Sequence, residues 1–297
     1  VPIPPKVEQI KIASKLELII DNVRYISIEE ESINCAINNA KSKILDLAIR
    51  GKLVPQNPDD EPASVLLERI RAEKEELIKQ GKIKRDKNES VIFKGDDNSY
   101  YEKIADETEK CIDNEVLFAI PSNWSWERLG NLSSIARGGS PRPIEDYLTT
   151  SPNGLNWIKI GDTRKDDKYI SSAHERIIPE GLSKTRFVHK GDFLLTNSMS
   201  FGRPYILEID GCIHDGWLVI GDTETVFYQD YLYYMLSSNI MFKSLSLLAA
   251  GSTVKNLKTD SVKSVLVPLP PILEQKVISE AIEQYFNILN SLKKSLE

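Results

Sequence analysis

The sequence predicts an α/β or α+β module with a mixed, twisted sheet, joined to long coiled-coil-like helices. Three observations carry that expectation. Apolar residues recur every three or four positions through residues 12–47 and again from residue 278. Between them, from Phe118, short β-like runs are punctuated by glycines and Asp/Asn pairs. A proline phrase also occurs at both ends, as "VPIPPKVEQI" from Val1 and "VPLPPILEQK" from Val267. Val1, Pro2, Pro4, Pro5, Glu8 and Gln9 reappear at one offset as Val267, Pro268, Pro270, Pro271, Glu274 and Gln275. Local composition does not produce such a match; an internal repeat does.

After Pro5 the next proline is Pro55, so the chain is free to turn helical at once. Ile12, Leu16, Ile19, Val23, Ile26, Glu30, Ile33, Ile37, Ala40, Ile44 and Leu47 follow in steps of four and three, the period of a coiled-coil seam. Such a helix reaches roughly 50 Å. Glu30, its one polar member, marks a bend, a partner contact or a break. Gly51 is placed to cap the helix, and "NPDDEP" has turn chemistry. Residues 63–80 carry Glu/Lys pairs at helical spacing and end at Gly81. "GKIKRDKNESVIFKGDDNSYYEK" reads as a loose polar linker in which Lys82, Lys84, Arg85 and Lys87 are solvated.

"IPSNWSWERLG" then sets a turn before aromatic residues, and "NWIKIGD", "RFVHKGDFLLTN", "RPYILEI" and "GWLVIGD" read as strands. Helical pattern returns at "QDYLYYMLSSNIMFKSLSLL". Past the second proline phrase, Ile278, Ile282, Tyr285, Leu289, Leu292 and Leu296 repeat the first seam in its register. The expected divisions are 1–54, 55–117, 118–271 and 272–297. Long apolar stripes are unfavourable in water. Ile12, Leu16, Ile19, Val23, Ile33, Ile37, Ile44 and Leu47, with Ile278, Ile282, Tyr285, Leu289 and Leu292, are therefore expected to pair helices, within one chain, between copies or with a partner. Ordinary amphipathic helices lying on one core are the alternative.

A length of 297 residues with 41% apolar content suits one or two domains with a sizeable core. Cys35, Cys111 and Cys212 are odd in number and far apart, which argues against a disulfide framework and suits a reducing cytoplasm. No apolar run approaches a membrane span and no signal peptide opens the chain, so a cytoplasmic protein without membrane contact is expected. The net charge of −6 is uneven. Residues 1–117 hold 19 Lys/Arg against 24 Asp/Glu, whereas residues 118–270 hold 16 of each, which leaves room for a basic face there.

Catalytic signatures are missing from the sequence. His174, His189 and His214 lack ligand-like spacing, so no metal site is predicted. No GxxxxGK[ST] loop or strand followed by GxGxxG is found. Asp166, Asp167 and Lys168 are residue types that could serve magnesium-dependent cleavage, but they lack an acidic partner upstream and read as an exposed turn. Pro4-Pro5 and Pro270-Pro271 lack the aromatic partner of the Asn/Asp-Pro-Pro loop that holds a flipped adenine.

Four loops instead carry chemistry suited to DNA. "IARGGSPRPIEDY" joins Arg137, Ser140 and Arg142 to Gly138 and Gly139, which let backbone approach a phosphate. "WIKIGDTRKDDK" offers Asp162, Thr163, Arg164 and Lys165, and "LLTNSMSFGRP" offers Asn197, Ser198, Ser200 and Arg203. "AAGSTVKNLKTD" offers Gly251, Ser252, Thr253, Lys255 and Asn256. Arginine pairs with guanine and asparagine with adenine, while hydroxyls and lysines suit phosphates. Each loop alone is an ordinary polar loop; four around one sheet point towards nucleic acid.

At this point the chain resembles the specificity subunit of type I restriction–modification systems. The resemblance rests on the paired "PLPPxxEQ"-like phrases at 1–9 and 267–275, and on "KILDLAIRGKLVPQNPDDEPASVLLERIRAEKEELIKQGKIK" at 43–84, similar to that family's spacer in one widespread subgroup. "IPSNWSWERLG" resembles the start of a target-recognition domain and "GSTVKNL" its late loop. The resemblance implies recognition domains held apart by antiparallel helices, each reading half of a bipartite site in double-stranded DNA. It implies methyltransferase and restriction subunits as partners, with S-adenosylmethionine, ATP and magnesium carried by them and no cofactor or catalytic residue in this chain. With one recognition domain present, the expectation is a fragment or a natural half-subunit, able to form a homodimer through the helices. A recognition domain of a fused restriction–methylation enzyme and a coiled-coil scaffold without DNA function are the alternatives.

Overall fold

The computed structural model describes residues 4–85, 89–104, 109–164, 167–197, 201–248 and 257–296. The chain forms two compact units, one of Val1–Ile44 with Ile282–Glu297 and one of Leu45–Ala281.

Pro4 and Pro5 lead into α1 (Lys6–Ile49). Gly51 closes it at φ +65°, where its N–H reaches the Ala48 carbonyl and the Lys52 N–H reaches Leu47 at 2.9 Å. A Cβ at this glycine would lie 2.4 Å from Pro121 Cγ, so backbone conformation and packing both demand glycine. The charged helix α2 (Ala63–Lys79) ends in the same manner at Gly81.

The stretch expected to be a loose linker is structured. β1 (Ser90–Lys94) and β2 (Tyr100–Ile104) form an antiparallel hairpin, and β3 (Lys110–Cys111) joins β2. Val91, Ile92 and Phe93 face Lys103, Glu102 and Tyr101 across the pair, and the Phe93 and Tyr101 rings stack at 5.9 Å. Polar turn residues hide this five-residue period within a charged segment. Arg85 is exposed, as expected, and pairs with Glu75 on α2 at 2.6 Å.

The rest of the larger unit runs through β4 (Ser125–Arg128), α3 (Leu129–Leu132), β5 (Ser134–Arg137), β6 (Leu148–Thr149), β7 (Leu155–Ile158), β8 (Tyr169–Ile170), β9 (Glu175–Ile177) and β10 (Arg186–Val188). It continues through β11 (Phe193–Thr196), β12 (Pro204–Leu207), β13 (Gly211–Ile213), β14 (Trp217–Gly221), α4 (Gln229–Ser237), α5 (Asn239–Leu248), α6 (Thr259–Lys263) and β15 (Leu266–Leu269), and enters α7 (Ile272–Leu296). Ten of these strands divide between two five-stranded mixed sheets, ordered β10-β13-β7-β9-β6 and β5-β14-β11-β12-β8, and β4 and β15 form a two-stranded ribbon. Ile158, Val188 and Ile213 of the first share one core with Leu194, Tyr205, Leu207, Trp217 and Val219 of the second, so the sheets pack face to face. β11, β12 and β13 are buried at every residue, the pattern of strands covered on both faces.

The second proline phrase locks this unit. β15 pairs antiparallel with β4, setting Pro268 opposite Trp126, and the Tyr231 hydroxyl donates to the Pro268 carbonyl at 3.0 Å. A two-stranded ribbon has two outer edges, where a residue without N–H is tolerated. Glu274 and Gln275, at 2% and 0% exposure, anchor the start of α7. Glu274 accepts from Trp124 Nε1 at 2.9 Å and from Gln56 at 2.6 Å. Gln275 donates to the Val226 and Pro270 carbonyls and accepts from the Tyr228 N–H. The first phrase makes the same local turn, with Gln9 donating to the Pro4 carbonyl at 2.7 Å, but Glu8 and Gln9 are exposed.

In the smaller unit α1 touches α7 through Lys41, which hydrogen-bonds Asn290 at 2.7 Å and lies over the Phe286 ring. The seams are only partly covered. Ile37 is buried, and Ile33, Ala40, Ile44, Leu47 and Leu289 are half-buried. Ile12, Leu16 and Ile19 remain 46%, 52% and 53% exposed, whereas Ile278 and Ile282, the repeats of Ile12 and Leu16, are at 0%. Tyr285 and Leu292 are exposed, and the side chains of Val23, Ile26 and Leu296 lie outside the described residues. Among the described residues, Ile12, Leu16, Ile19, Tyr285 and Leu292 are therefore left uncovered within the single chain, which leaves pairing between copies or with a partner as the other options the spacing offers.

Candidate nucleic-acid interface

The turn between β13 and β14, His214-Asp215-Gly216, joins three of the loops singled out above. The Asp215 carboxylate accepts from the Ser140 hydroxyl at 2.8 Å and stands 3.6 Å from the Arg142 guanidinium. Its backbone carbonyl accepts from Arg137 Nε at 2.9 Å and from Asn197 Nδ2 at 2.8 Å. The Ser140 hydrogen bond holds the Asp215 carboxyl below the usual range against partial burial, helped by His214 and Arg137 nearby. His214 reaches the third loop. Its Nε2 faces the Ile160 N–H at 3.1 Å and its Nδ1 the Gly216 N–H at 2.7 Å. Burial lowers the imidazole pKa and favours the neutral ring, which accepts from one of these two N–H groups while its other nitrogen carries the hydrogen.

Arg137 and Arg142 are exposed on this surface, and Arg186 of β10 joins them by donating to the Arg137 carbonyl at 3.0 Å. The neighbouring cavity, of about 580 Å³, is lined by Pro141, Arg142, Trp157, Lys159, Glu175 and His214. Arg164 is exposed beyond the strand end. The backbone there is held by Asp167, which accepts from the Arg164 N–H, and by the Tyr205 hydroxyl on the Arg164 carbonyl. Lys168 pins the end of that loop to α4 through Asp230 and the rings of Tyr233 and Tyr234, and also lies over the ring of Tyr169 in β8. Burial opposes the lysine's charge, but the Asp230 hydrogen bond and the tyrosines hold its pKa above the ordinary value. Asp167 is exposed in this turn, as expected, whereas Lys168 is half-buried, and Asp166 lies outside the described residues.

Several expected roles change. Gly138 and Gly139 do not open the backbone to a phosphate, since their N–H groups are taken by the Trp217 and Ile213 carbonyls. A Cβ on Gly138 would lie 2.2 Å from the His214 carbonyl oxygen, and one on Gly139 2.7 Å from that of Lys184. Both glycines are there for strand contact. Asn197 is 1% exposed, with its amide on Asp215 and its backbone bonded to Gly216 and Leu257, so it ties loops together and is not presented to a base. Ser140 spends its hydroxyl on Asp215, and Thr163 donates its own to the Ile160 carbonyl. Arg203 is half-buried beside β11, its backbone paired with Thr196. Lys165, Ser198, Ser200, Ser252, Thr253, Lys255 and Asn256 lie outside the described residues. Sequence reading missed Asp215 and Arg186 and weighed His214 only as a metal ligand, since the partners that bring them to this turn lie far along the chain.

Among the described residues no group of His, Cys, Asp and Glu is arranged to hold a metal ion, and no helix is long and apolar enough to cross a membrane.

The family described as type I restriction modification DNA specificity domain matches residues 121–297. The chain is 28% identical over 283 residues to the type I restriction enzyme EcoEI specificity subunit of Escherichia coli, covering 88% of this chain and 42% of that one. It is 43% identical over 99 residues to the EcoAI specificity subunit of the same species, 33% of this chain and 14% of the relative. To the MjaIX specificity subunit of Methanocaldococcus jannaschii it is 27% identical over 182 residues, 60% and 41% of the two chains. It thus spans less than half the length of each of these relatives. Its fold is similar to the HsdS subunit from Thermoanaerobacter tengcongensis, with TM-score 0.51 and 18% identity over 99% of this chain and 55% of that one. It is also similar to a chain solved in a study of complex assembly and conformational transition of the type I R-M system, with TM-score 0.55 and 19% identity over 100% and 56% of the two chains.

Proposed function

The chain belongs to the type I restriction–modification DNA specificity family, and from that membership we propose that it is a recognition subunit without a catalytic centre. Its recognition domain reads half of a bipartite site in double-stranded DNA. Methyltransferase subunits dock on it and supply S-adenosylmethionine chemistry, and a restriction subunit supplies ATP- and magnesium-dependent translocation and cleavage in the cytoplasm. The observation that carries the DNA reading is the cluster of exposed Arg137, Arg142 and Arg186 gathered at one turn. Guanidinium groups pair bidentately with phosphates and with guanine, and a shared scaffold fixes their spacing.

The deciding experiment is to co-express the chain with the neighbouring methyltransferase subunit and map adenine methylation across host DNA. A split motif is the expected result. Symmetry about its spacer supports pairing of two copies, and asymmetry assigns the other half-site to a different recognition domain. A stable complex that methylates no motif overturns the reading for this chain. Pairing of copies is itself part of the proposal, supported by the exposed Ile12, Leu16 and Ile19 stripe.

A further inference from the structure

We propose that Asp215 is a positioning residue for DNA recognition, one that sets sequence preference by holding the arginine-bearing loop in a single arrangement. The inference rests on the DNA-recognition reading above and deepens it. Gly138 and Gly139 fix the base of the 137–142 loop against β13 and β14, but nothing in those backbone contacts fixes its tip. The tip is held by Asp215. One carboxylate oxygen takes the Ser140 hydroxyl, the other faces Arg142, and the peptide carbonyl of the same residue takes Arg137 and Asn197. Arg137 and Arg142 are thus set side by side by one residue.

Charge makes the assignment specific. A surface serving only phosphate affinity gains nothing from a carboxylate among its arginines, because the carboxylate repels the polyanion. Asp215 is partly solvent-exposed, so that repulsion is felt by any duplex brought to the arginines. Its presence therefore trades unspecific attraction for geometry: the Ser140 hydrogen bond fixes the loop, and the carboxylate attracts the exposed Arg142 from 3.6 Å until a phosphate or a guanine in register replaces it. The two consequences have opposite signs. Removing the charge strengthens binding to arbitrary duplex, while removing the clamp weakens the preference for the motif.

The test uses the complex with its methyltransferase subunit, and the duplex motif is taken from the wild-type methylation map. Asp215→Ala is expected to raise affinity for an unrelated duplex roughly threefold, the scale of one screened charge. It is expected to lower the preference for the motif over single-base mismatches roughly tenfold, the scale of one bidentate contact. Ser140→Ala keeps the charge and removes the hydroxyl that orients it, so preference should fall with no gain in unspecific affinity. Melting temperatures of both variants should match the wild type. An Asp215→Ala complex that loses motif and unrelated binding in equal measure, or keeps the wild-type preference, overturns the assignment. If that variant melts early, Ser140→Ala decides alone, and unchanged preference in it is equally fatal. A wild-type complex with no motif defeats the DNA-recognition reading first, and this one with it.

Discussion

Glu8 and Glu274 occupy the same place in the same phrase, yet only Glu274 is seated in the fold. Its carboxylate is the acceptor for the buried Trp124 Nε1–H and for Gln56. Burial raises its pKa, and those hydrogen bonds act in the opposite direction. Glu274→Ala leaves the indole N–H without an acceptor in a dry site and should cost about 2 kcal/mol of unfolding free energy. Glu8→Ala, at an exposed position, should stay within about 0.5 kcal/mol. Urea unfolding of the two variants side by side measures both, and equal losses would mean the phrase acts through its local turn alone. At this scale the sequence was partly legible. Arg137, Arg142 and Arg164 stand exposed where loop chemistry put them. Asn197 and the two glycines do not act as expected, because a polar or flexible residue in a loop has the same sequence signature whether it faces solvent or ties strands together. Asp215 could not be singled out, since its importance lies in partners 18 to 78 residues away.

Elements follow periodicity where it is long and lose definition where it is short. The seam and Gly51 located α1 and its end, because each helical turn repeats the same signal and the left-handed cap favours one residue type. Gly51→Ala should destabilise the chain by at least about 1 kcal/mol, the ordinary cost of a side chain at positive φ, and by more because Pro121 must move. Thermal unfolding checks this, and Gly161→Ala, where a Cβ meets nothing, is the comparison. Unchanged stability in Gly51→Ala would show that the helix end repacks freely. The β1–β2 hairpin was not legible, since five-residue strands flanked by charges look like linker. Long-range packing holds that region. Arg128 of β4 binds Glu102 of β2 at 2.6 Å and Glu115 at 2.8 Å, while Arg71 of α2 reaches the buried Glu127. Nor does strand pattern tell how strands partition, and one mixed sheet was expected where two share a core.

At the scale of the whole molecule, the repeat leaves an imbalance that the single chain does not resolve. Ile278 and Ile282 are buried, while Ile12 and Leu16, their repeats, are about half-exposed together with Ile19. Two chains that cover these stripes mutually, as a two-fold pair does, recover roughly 1 kcal/mol for each half-exposed side chain. Both chains of a pair lose the three side chains, about 6 kcal/mol in all, so replacing Ile12, Leu16 and Ile19 together by serine should weaken self-association roughly ten-thousandfold. The larger unit should be untouched, because none of the three belongs to it. Light scattering across a dilution series, without partner subunits, is expected to show a wild-type dimer and a mostly monomeric triple variant, with far-ultraviolet melting of the larger unit unchanged. A wild-type chain that stays monomeric at every concentration assigns the stripe to another protein. The methyltransferase subunit is then the first to titrate against both chains, and a triple variant that still binds it normally would leave these three residues without a role in assembly.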